Sequence, residues 1–220
     1  MSRWRVERIT GSAGGLHALE PPDPVTRTAW VFAVERAALV LGSTQSDTIV
    51  DHVAADSLGA DIVRRRSGGG AVWLDPGGTV WVDVLLPRGD PLWDDDVGRA
   101  AHWLGEVWAA AIADNPNATG DVPQVHRDGM VCSSMSGRVC FAGLGPGEVT
   151  VGGRKAVGIS QRRTRAGARF QCVAYERWDA GPLLATLELP EGAAAGLATA
   201  GADLGIRRES VEEAFLHALP

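Results

Sequence analysis

Lysine is nearly absent from this chain. Of its 21 basic residues, twenty are arginine and one, Lys155, is lysine. An excess of Arg, Ala and Gly reflects biased base composition, under which a solitary lysine is either chance or a position arginine cannot fill. A compact ammonium suits a tight site that a wide planar guanidinium does not. Cysteine is scarce too: three, an odd number in 220 residues, argues against a disulfide framework. No apolar run approaches the roughly 18–20 residues that cross a bilayer. The first ten residues intersperse Arg3, Arg5, Glu7 and Arg8 among single apolar residues and have no signal-peptide core. A cytoplasmic location without a membrane partner is therefore expected. A basic surplus is also missing. The net charge of −6 lacks the footprint of a nucleic-acid binder.

What is present is ordinary globular material. Apolar residues make up 45 % and charged residues 22 %, enough for a core without metal or disulfide staples. One domain spanning 1–220 is expected. Alternation at Trp4, Val6 and Arg8 predicts a first strand, followed by a Gly- and Pro-containing loop from Gly11 to Pro24. Ala29–Val34 and Leu39–Leu41 read as short buried strands. Ser46 or Asp47 can cap a helix that carries Ile49, Val50, Val53, Ala54 and Leu58 and stops at Gly59. Asp61–Arg66, Ala71–Leu74 and Thr79–Leu86 read as strands. Asp94, Asp95 and Asp96 suit the N-terminus of the longest helix, which continues through Val97, Ala101, Leu104, Trp108 and Ala111 and ends at Asn115-Pro116. Val149–Val151 and Lys155–Gln161 form a hairpin about Gly152-Gly153, and Ala168–Trp178 is a further strand. Ser210 with Glu213 makes a capping box for a last helix. Strands outnumber helices and cluster in hairpins, so the fold class is α+β.

Two segments carry the chemistry. In Arg65-Arg66-Ser67-Gly68-Gly69-Gly70-Ala71-Val72 the glycines let backbone N–H groups approach a ligand and cradle an anion. The arginines can pair with phosphate or carboxylate. No Gly-Lys-Ser/Thr follows and no helix follows the glycines, so this is neither a P-loop nor a dinucleotide fingerprint. The bland alternative is a flexible loop with solvated arginines. The second segment is Gly153-Arg154-Lys155-Ala156-Val157-Gly158-Ile159-Ser160-Gln161. There the lone lysine opens an apolar strand, with small neighbours that admit a ligand, and could steady a carbonyl oxygen or phosphate. His126, Cys132, Cys140 and Cys172 are zinc-ligand types, but their spacings fit no common zinc pattern, and no metal site is expected. Trp103 and Trp108 read as packing.

Together these segments resemble the biotin and lipoate protein ligase family. Its members carry an Arg-Arg-x-Ser/Thr-Gly-Gly-Gly-Ala-Val loop and a later Gly-Arg-Lys-x-x-Gly-x-x-Gln strand. Here these stand at Arg65–Val72 and Gly153–Gln161, with Val40-Leu41-Gly42-Ser43-Thr44-Gln45 similar to the family's front strand. The similarity covers roughly residues 38–178 and lies with the lipoate and octanoate branch. It implies a mixed, largely antiparallel sheet flanked by helices, the catalytic fold shared with class II aminoacyl-tRNA synthetases. It also implies transfer of a lipoyl or octanoyl group to a lysine of a lipoyl-carrier domain or a glycine-cleavage H-type protein. In the ligase route ATP with Mg2+ forms an acyl-adenylate. Lys155 then meets the acyl carbonyl and the adenylate phosphate, and Arg65, Arg66, Ser67, Gly68, Gly69, Gly70, Ala71, Val72, Gly158 and Gln161 line the substrate and nucleotide site.

The branch's octanoyltransferases use a cysteine and no ATP, taking the acyl group from an acyl carrier protein. One group places that cysteine in an Ala-Cys-Phe segment, to which Val139-Cys140-Phe141 is similar. Cys140 is thus a second candidate catalytic residue, or a small buried hydrophobe. The sequence departs from the family at three places. Leu74-Asp75 replaces a His-Asp pair, Cys172-Val173 replaces a His-Gly pair, and Gly14-Gly15-Leu16-His17-Ala18 stands where an acidic helix is usual. The separate C-terminal domain of larger ligases is not expected within these 220 residues. A short ligase with a partner subunit, a transferase and a non-catalytic binding relative all fit.

Overall fold

The computed structural model describes residues 4–114 and 121–220. Strand β1 (Arg5–Gly11) runs parallel to β2 (Thr28–Val34). Helix α1 (Ala13–Ala18) lies in the segment expected to be loop, because the Ser12 side chain accepts from Gly15 N and caps it. Strand β3 (Ala38–Leu41) leads to a 3-10 turn (Asp47–Ile49) and α2 (His52–Ser57). The single helix expected there is broken: Ser46 caps the first piece, and Asp51, extended at φ −81 and ψ 97, caps the second.

Strands β4 (Asp61–Arg64) and β5 (Val72–Leu74) both pair with β3, one parallel and one antiparallel, in a three-stranded sheet of order β4-β3-β5. The Ser67–Gly70 loop therefore crosses the end of β3 rather than closing a hairpin. After β6 (Thr79–Pro87), helix α3 (His102–Ala113) begins well beyond the three aspartates. Asp94 and Asp96 instead accept backbone N–H bonds from Asp96 and Gly98 and pair with Arg99, closing turns ahead of the helix. The stop expected at Asn115-Pro116 lies outside the described residues. Strands β7 (Gln124–Val125), β8 (Val149–Val151), β9 (Arg154–Arg163) and β10 (Gly167–Tyr175) complete a seven-stranded sheet of order β1-β2-β6-β10-β9-β8-β7, antiparallel except at β1. Gly152 and Gly153, at φ 56 and 75, form the expected turn. Helices α4 (Gly181–Thr186), α5 (Ala193–Ala198) and α6 (Arg208–Ala218) follow. Helix α6 starts two residues before Ser210 and has no side-chain cap, so the capping box is not formed. The architecture is mixed α+β, a large mostly antiparallel sheet with six α-helices among the described residues. None of these helices is long and apolar enough to cross a membrane.

Period-two alternation along β6 divides the molecule. Val80, Val82, Val84 and Leu86 join Ala168, Phe170, Cys172 and Ala174 of β10 in a core against α3 and α6, where Trp108 packs on Phe215 at 4.3 Å. Trp81 and Leu85 point the other way and join Val173 and Tyr175 against Val40, Val72 and Leu74 of the small sheet. The candidate site lies between the two sheets.

Candidate active site

Strand register builds the floor of the site. Trp81, Val173 and Gly158 stand in one row across β6, β10 and β9, and Asp83, Gln171 and Ser160 in the next. An aspartate in the middle of an apolar strand needs partners. Asp83 receives Arg169 Nε at 2.6 Å, Trp81 Nε1 at 2.7 Å and Gln171 Nε2 at 3.3 Å. Gln171 Oε1 accepts from Ser67 Oγ at 2.9 Å, and Ser67 Oγ lies 3.0 Å from Ser160 Oγ. A buried polar chain thus joins the sheet floor to the glycine loop.

Lys155 reaches the site through a bulge. Val149 pairs with Val157 and Thr150 with Lys155, leaving Ala156 as the extra residue. Ala156 and Val157 both enter the helix-side core, which turns Lys155 to the opposite face. Its Nζ lies 2.7 Å from Glu148 Oε1, 2.9 Å from Cys140 O, 3.1 Å from Gly143 O and 3.6 Å from Cys140 Sγ. Burial opposes the charge, but Cys140 and Glu148 outweigh it and hold the Lys155 pKa above the ordinary lysine value. Glu148 is itself fixed by N–H bonds from Gly145 at 2.6 Å and Ile159 at 3.0 Å. Gly158 leaves room for this arrangement, since a Cβ there would sit 3.2 Å from Lys155 Cε and 3.5 Å from Phe141.

The glycine loop and the Cys140 segment are clamped together. Ala71 N donates to Arg138 O and Cys140 N to Ala71 O, at 2.8 and 2.9 Å. A Cβ on Gly70 would fall 2.6–2.8 Å from Val139 and Cys140 backbone atoms, so only glycine fits. Gln45 ties in the front strand, accepting from Gly42 N and donating to Gly137 O and Arg138 O. Arg65 behaves differently from its expected anion-pairing role. Its guanidinium is buried, and its Nη2 donates to Gly68 O and Gly70 O at 2.8 and 2.9 Å, so it braces the loop from within. Arg66 is exposed and paired with Glu20, which also holds Arg162. Ser67 and Ala71 are buried in the framework.

The space enclosed has two parts. A mostly apolar cavity of about 40 Å³ is lined by His17, Val72, Leu74, Trp81, Gly158, Gln171, Cys172 and Val173. It meets a wider cleft of about 400 Å³, lined by Gly68, Gly69, Gly70, Glu148, Lys155 and Gln161. Arg65, Cys140, Ile159 and Ser160 border both. Among the described residues the N–H groups of Gly68, Gly69 and Gly70 make no hydrogen bond. Of the sequence-expected residues, Lys155, Cys140, Arg65, Gly68, Gly69, Gly70, Val72, Gly158 and Gln161 converge here, and Arg66, Ser67 and Ala71 line neither space. Sequence reasoning gave no role to Glu148, Asp83, Gln171 and His17. Only Asp83, a charge between Val82 and Val84, carried a signal.

The family model of the lipoyl protein ligase A/B catalytic domain matches residues 22–190. The chain belongs to this family. A bi-partite lipoate protein ligase from Thermoplasma acidophilum, studied with its E2 lipoyl domain, superposes with a TM-score of 0.72 at 14 % identity, over 99 % of this chain and 82 % of that one. A lipoate-protein ligase A bound with ATP gives 0.67 at 15 %, over 98 % and 83 %. P. falciparum LipL1 in complex with lipoate gives 0.66 at 12 %, over 98 % and 60 %. These likenesses are of fold. No curated protein matches the chain by sequence.

Proposed function

We propose that the protein attaches a lipoyl or octanoyl group to a lysine of a lipoyl-carrier domain through an acyl-adenylate, with residues 1–220 acting as one catalytic unit. One observation carries this reading: a narrow apolar cavity opens, beside the Lys155 ammonium, into a wide cleft edged by unpaired glycine amides. The cavity suits an eight-carbon chain, each buried methylene contributing about 0.8 kcal/mol. The cleft suits a nucleotide, whose phosphates the Gly68–Gly70 N–H groups can meet.

In the first step a carboxylate oxygen of the acid attacks the α-phosphorus of ATP and pyrophosphate leaves. In the second, the neutral amine of the carrier lysine attacks the acyl carbonyl carbon, AMP leaves with the bonding pair, and the proton shed by the amine passes to solvent. Lys155 opposes the charge on the carboxylate and phosphate oxygens, a substrate oxygen replacing one of its two carbonyl partners. Mg2+ would come with the nucleotide phosphates. The ATP, lipoate and E2 lipoyl domain named with the related structures support the same reading.

A second reading rests on Cys140, whose residue borders both spaces and whose Sγ is 3.6 Å from Lys155 Nζ. The thiolate would take the acyl group from an acyl carrier protein thioester and pass it to the acceptor amine. Intact mass of a lipoyl-carrier domain, or of an H-type protein, separates the two. Incubation with octanoate or lipoate and ATP is expected to add the acyl mass, and Cys140→Ser to leave that gain largely intact. A gain from octanoyl-carrier protein without ATP, with an octanoyl adduct trapped on Cys140, would replace the ligase reading by the transferase. No gain under either condition rejects both.

A further inference from the structure

Lys155 is the one lysine of the chain, and it borders the cleft where an activated acyl group would be held. An amine beside an acyl-adenylate is a hazard as well as a help. A neutral nitrogen there would attack the acyl carbonyl carbon, AMP would leave with the bonding pair, and the nitrogen would give its proton to solvent. The product, a stable amide on the enzyme itself, would end catalysis. An ammonium has no lone pair and cannot take this route.

The surroundings hold the nitrogen in that state by geometry. Its three protons have three oxygen partners, Glu148 Oε1 at 2.7 Å, Cys140 O at 2.9 Å and Gly143 O at 3.1 Å. A neutral amine would donate to two of them and set its lone pair against the third. The Phe141 ring, 5.3 Å from Nζ, also favours a cation. Of the three oxygen partners only Glu148 is charged, and the N–H groups of Gly145 and Ile159 fix its carboxylate. The other groups facing Lys155 are the Cys140 thiol at 3.6 Å and, across the same cleft, Arg65. Strand β8 opposes it with Thr150, and the segment that bonds its backbone supplies Ala200 and Ala202, none of them charged.

We infer that Glu148 is a positioning residue that shields Lys155 from self-acylation, its carboxylate keeping the amine a fully bonded ammonium so that the acyl group passes to the carrier lysine and not to the enzyme's own. A substrate oxygen that displaces one of the two carbonyls leaves the Glu148 bond in place. The inference rests on the adenylate reading and assigns Lys155 as the site of a side reaction that this reading makes possible.

Preformed octanoyl-adenylate, added to the full chain at pH 7, 8 and 9, tests it by intact mass and peptide mapping. Neutral hydroxylamine strips any thioester from Cys140 and leaves an amide on Lys155. Glu148→Gln is expected to gain that amide at least about tenfold faster than the wild type, at a rate rising about tenfold per pH unit with the neutral fraction. Adding Lys155→Arg to the variant should abolish the adduct at this position. Equal rates in variant and wild type overturn the shielding role. So does a wild-type Lys155 that is acylated faster than a lysine peptide in the same tube, a comparison that decides the matter even where the variant fails to fold. A lipoyl-carrier domain in a parallel wild-type reaction separates the two readings. Transfer to the carrier alongside either of those results overturns the shielding role alone, and no transfer to the carrier overturns the adenylate reading and the inference with it.

Discussion

Two buried ion pairs stand on the same face of the large sheet and have different work. Arg169 and Asp83 meet at 2.6 Å with side chains 5 % and 0 % exposed, and Lys155 and Glu148 at 2.7 Å with side chains 4 % and 7 % exposed. By burial and distance they are equivalent. Their surroundings separate them. Arg169 sends its other donors to carbonyl oxygens of Leu16 and Leu19, tying α1 to the sheet, and neither member of that pair lines a cavity. Lys155 and Glu148 both border the cleft. A planar guanidinium with its donors consumed is a brace, whereas a compact ammonium at an open edge can exchange a carbonyl for a substrate oxygen. Arg65 stands between the two: its Nη2 braces the glycine loop, yet the residue borders both spaces and its Nε has no partner among the described residues.

Removing Asp83 should have the largest effect, and on stability. Asp83→Ala leaves Arg169 buried without its counter-charge, at a cost of about 3–5 kcal/mol. A denaturant midpoint within error of the wild type would show that the pair is not a brace. Lys155→Arg breaks the other side of the comparison. Its melting temperature should stay close to wild type, while acyl transfer falls about 100- to 1000-fold. Near-normal turnover in that variant removes Lys155 from the chemistry. Glu148→Gln sharpens the contrast. It keeps the shape but removes the negative charge that helps hold Lys155 protonated, so the alkaline limb of the pH–rate profile should move to lower pH. Losing a charged hydrogen bond costs about 1.5–3 kcal/mol. An unmoved limb would make Glu148 a packing residue.

Local chemistry explains what the sequence made legible. The Gly152-Gly153 turn, the Gly68–Gly70 loop and the apolar strands are written in neighbouring residues, and they stand where expected. Helix starts were harder wherever a short polar side chain could serve a turn instead of a cap. Asp94 and Asp96 did so, as Ser210 failed to cap α6. The site was half visible. Lys155 was marked by its type, but its orientation depends on the Ala156 bulge, which requires the partner strand β8 to be seen. Gln171, Ser160 and Asp83 are far apart in sequence and meet only through strand register. Asp83, between Val82 and Val84, was the one clue. A charge in an apolar strand predicts a buried partner without naming it, and Arg169 lies 86 residues away.

The smallest effect expected concerns His17 and appears in the pH dependence of stability. Its pKa is lowered from 6.5 to about 3 in the folded protein, so above pH 6.5 it is neutral in both states and contributes in full. Below pH 6.5 the unfolded chain takes up a proton that the folded protein refuses. Stability is then lost at up to about 1.4 kcal/mol per pH unit, or about 2 kcal/mol by pH 5. Glu212 bends the curve the opposite way, because burial raises its carboxyl pKa against the pull of Arg8 and Arg208. That contribution is common to wild type and His17→Phe, so the difference between them isolates His17. Urea unfolding at pH 7, 6 and 5 should show the variant losing less stability with acid than the wild type. Parallel curves would mean that His17 takes up its proton in the folded state.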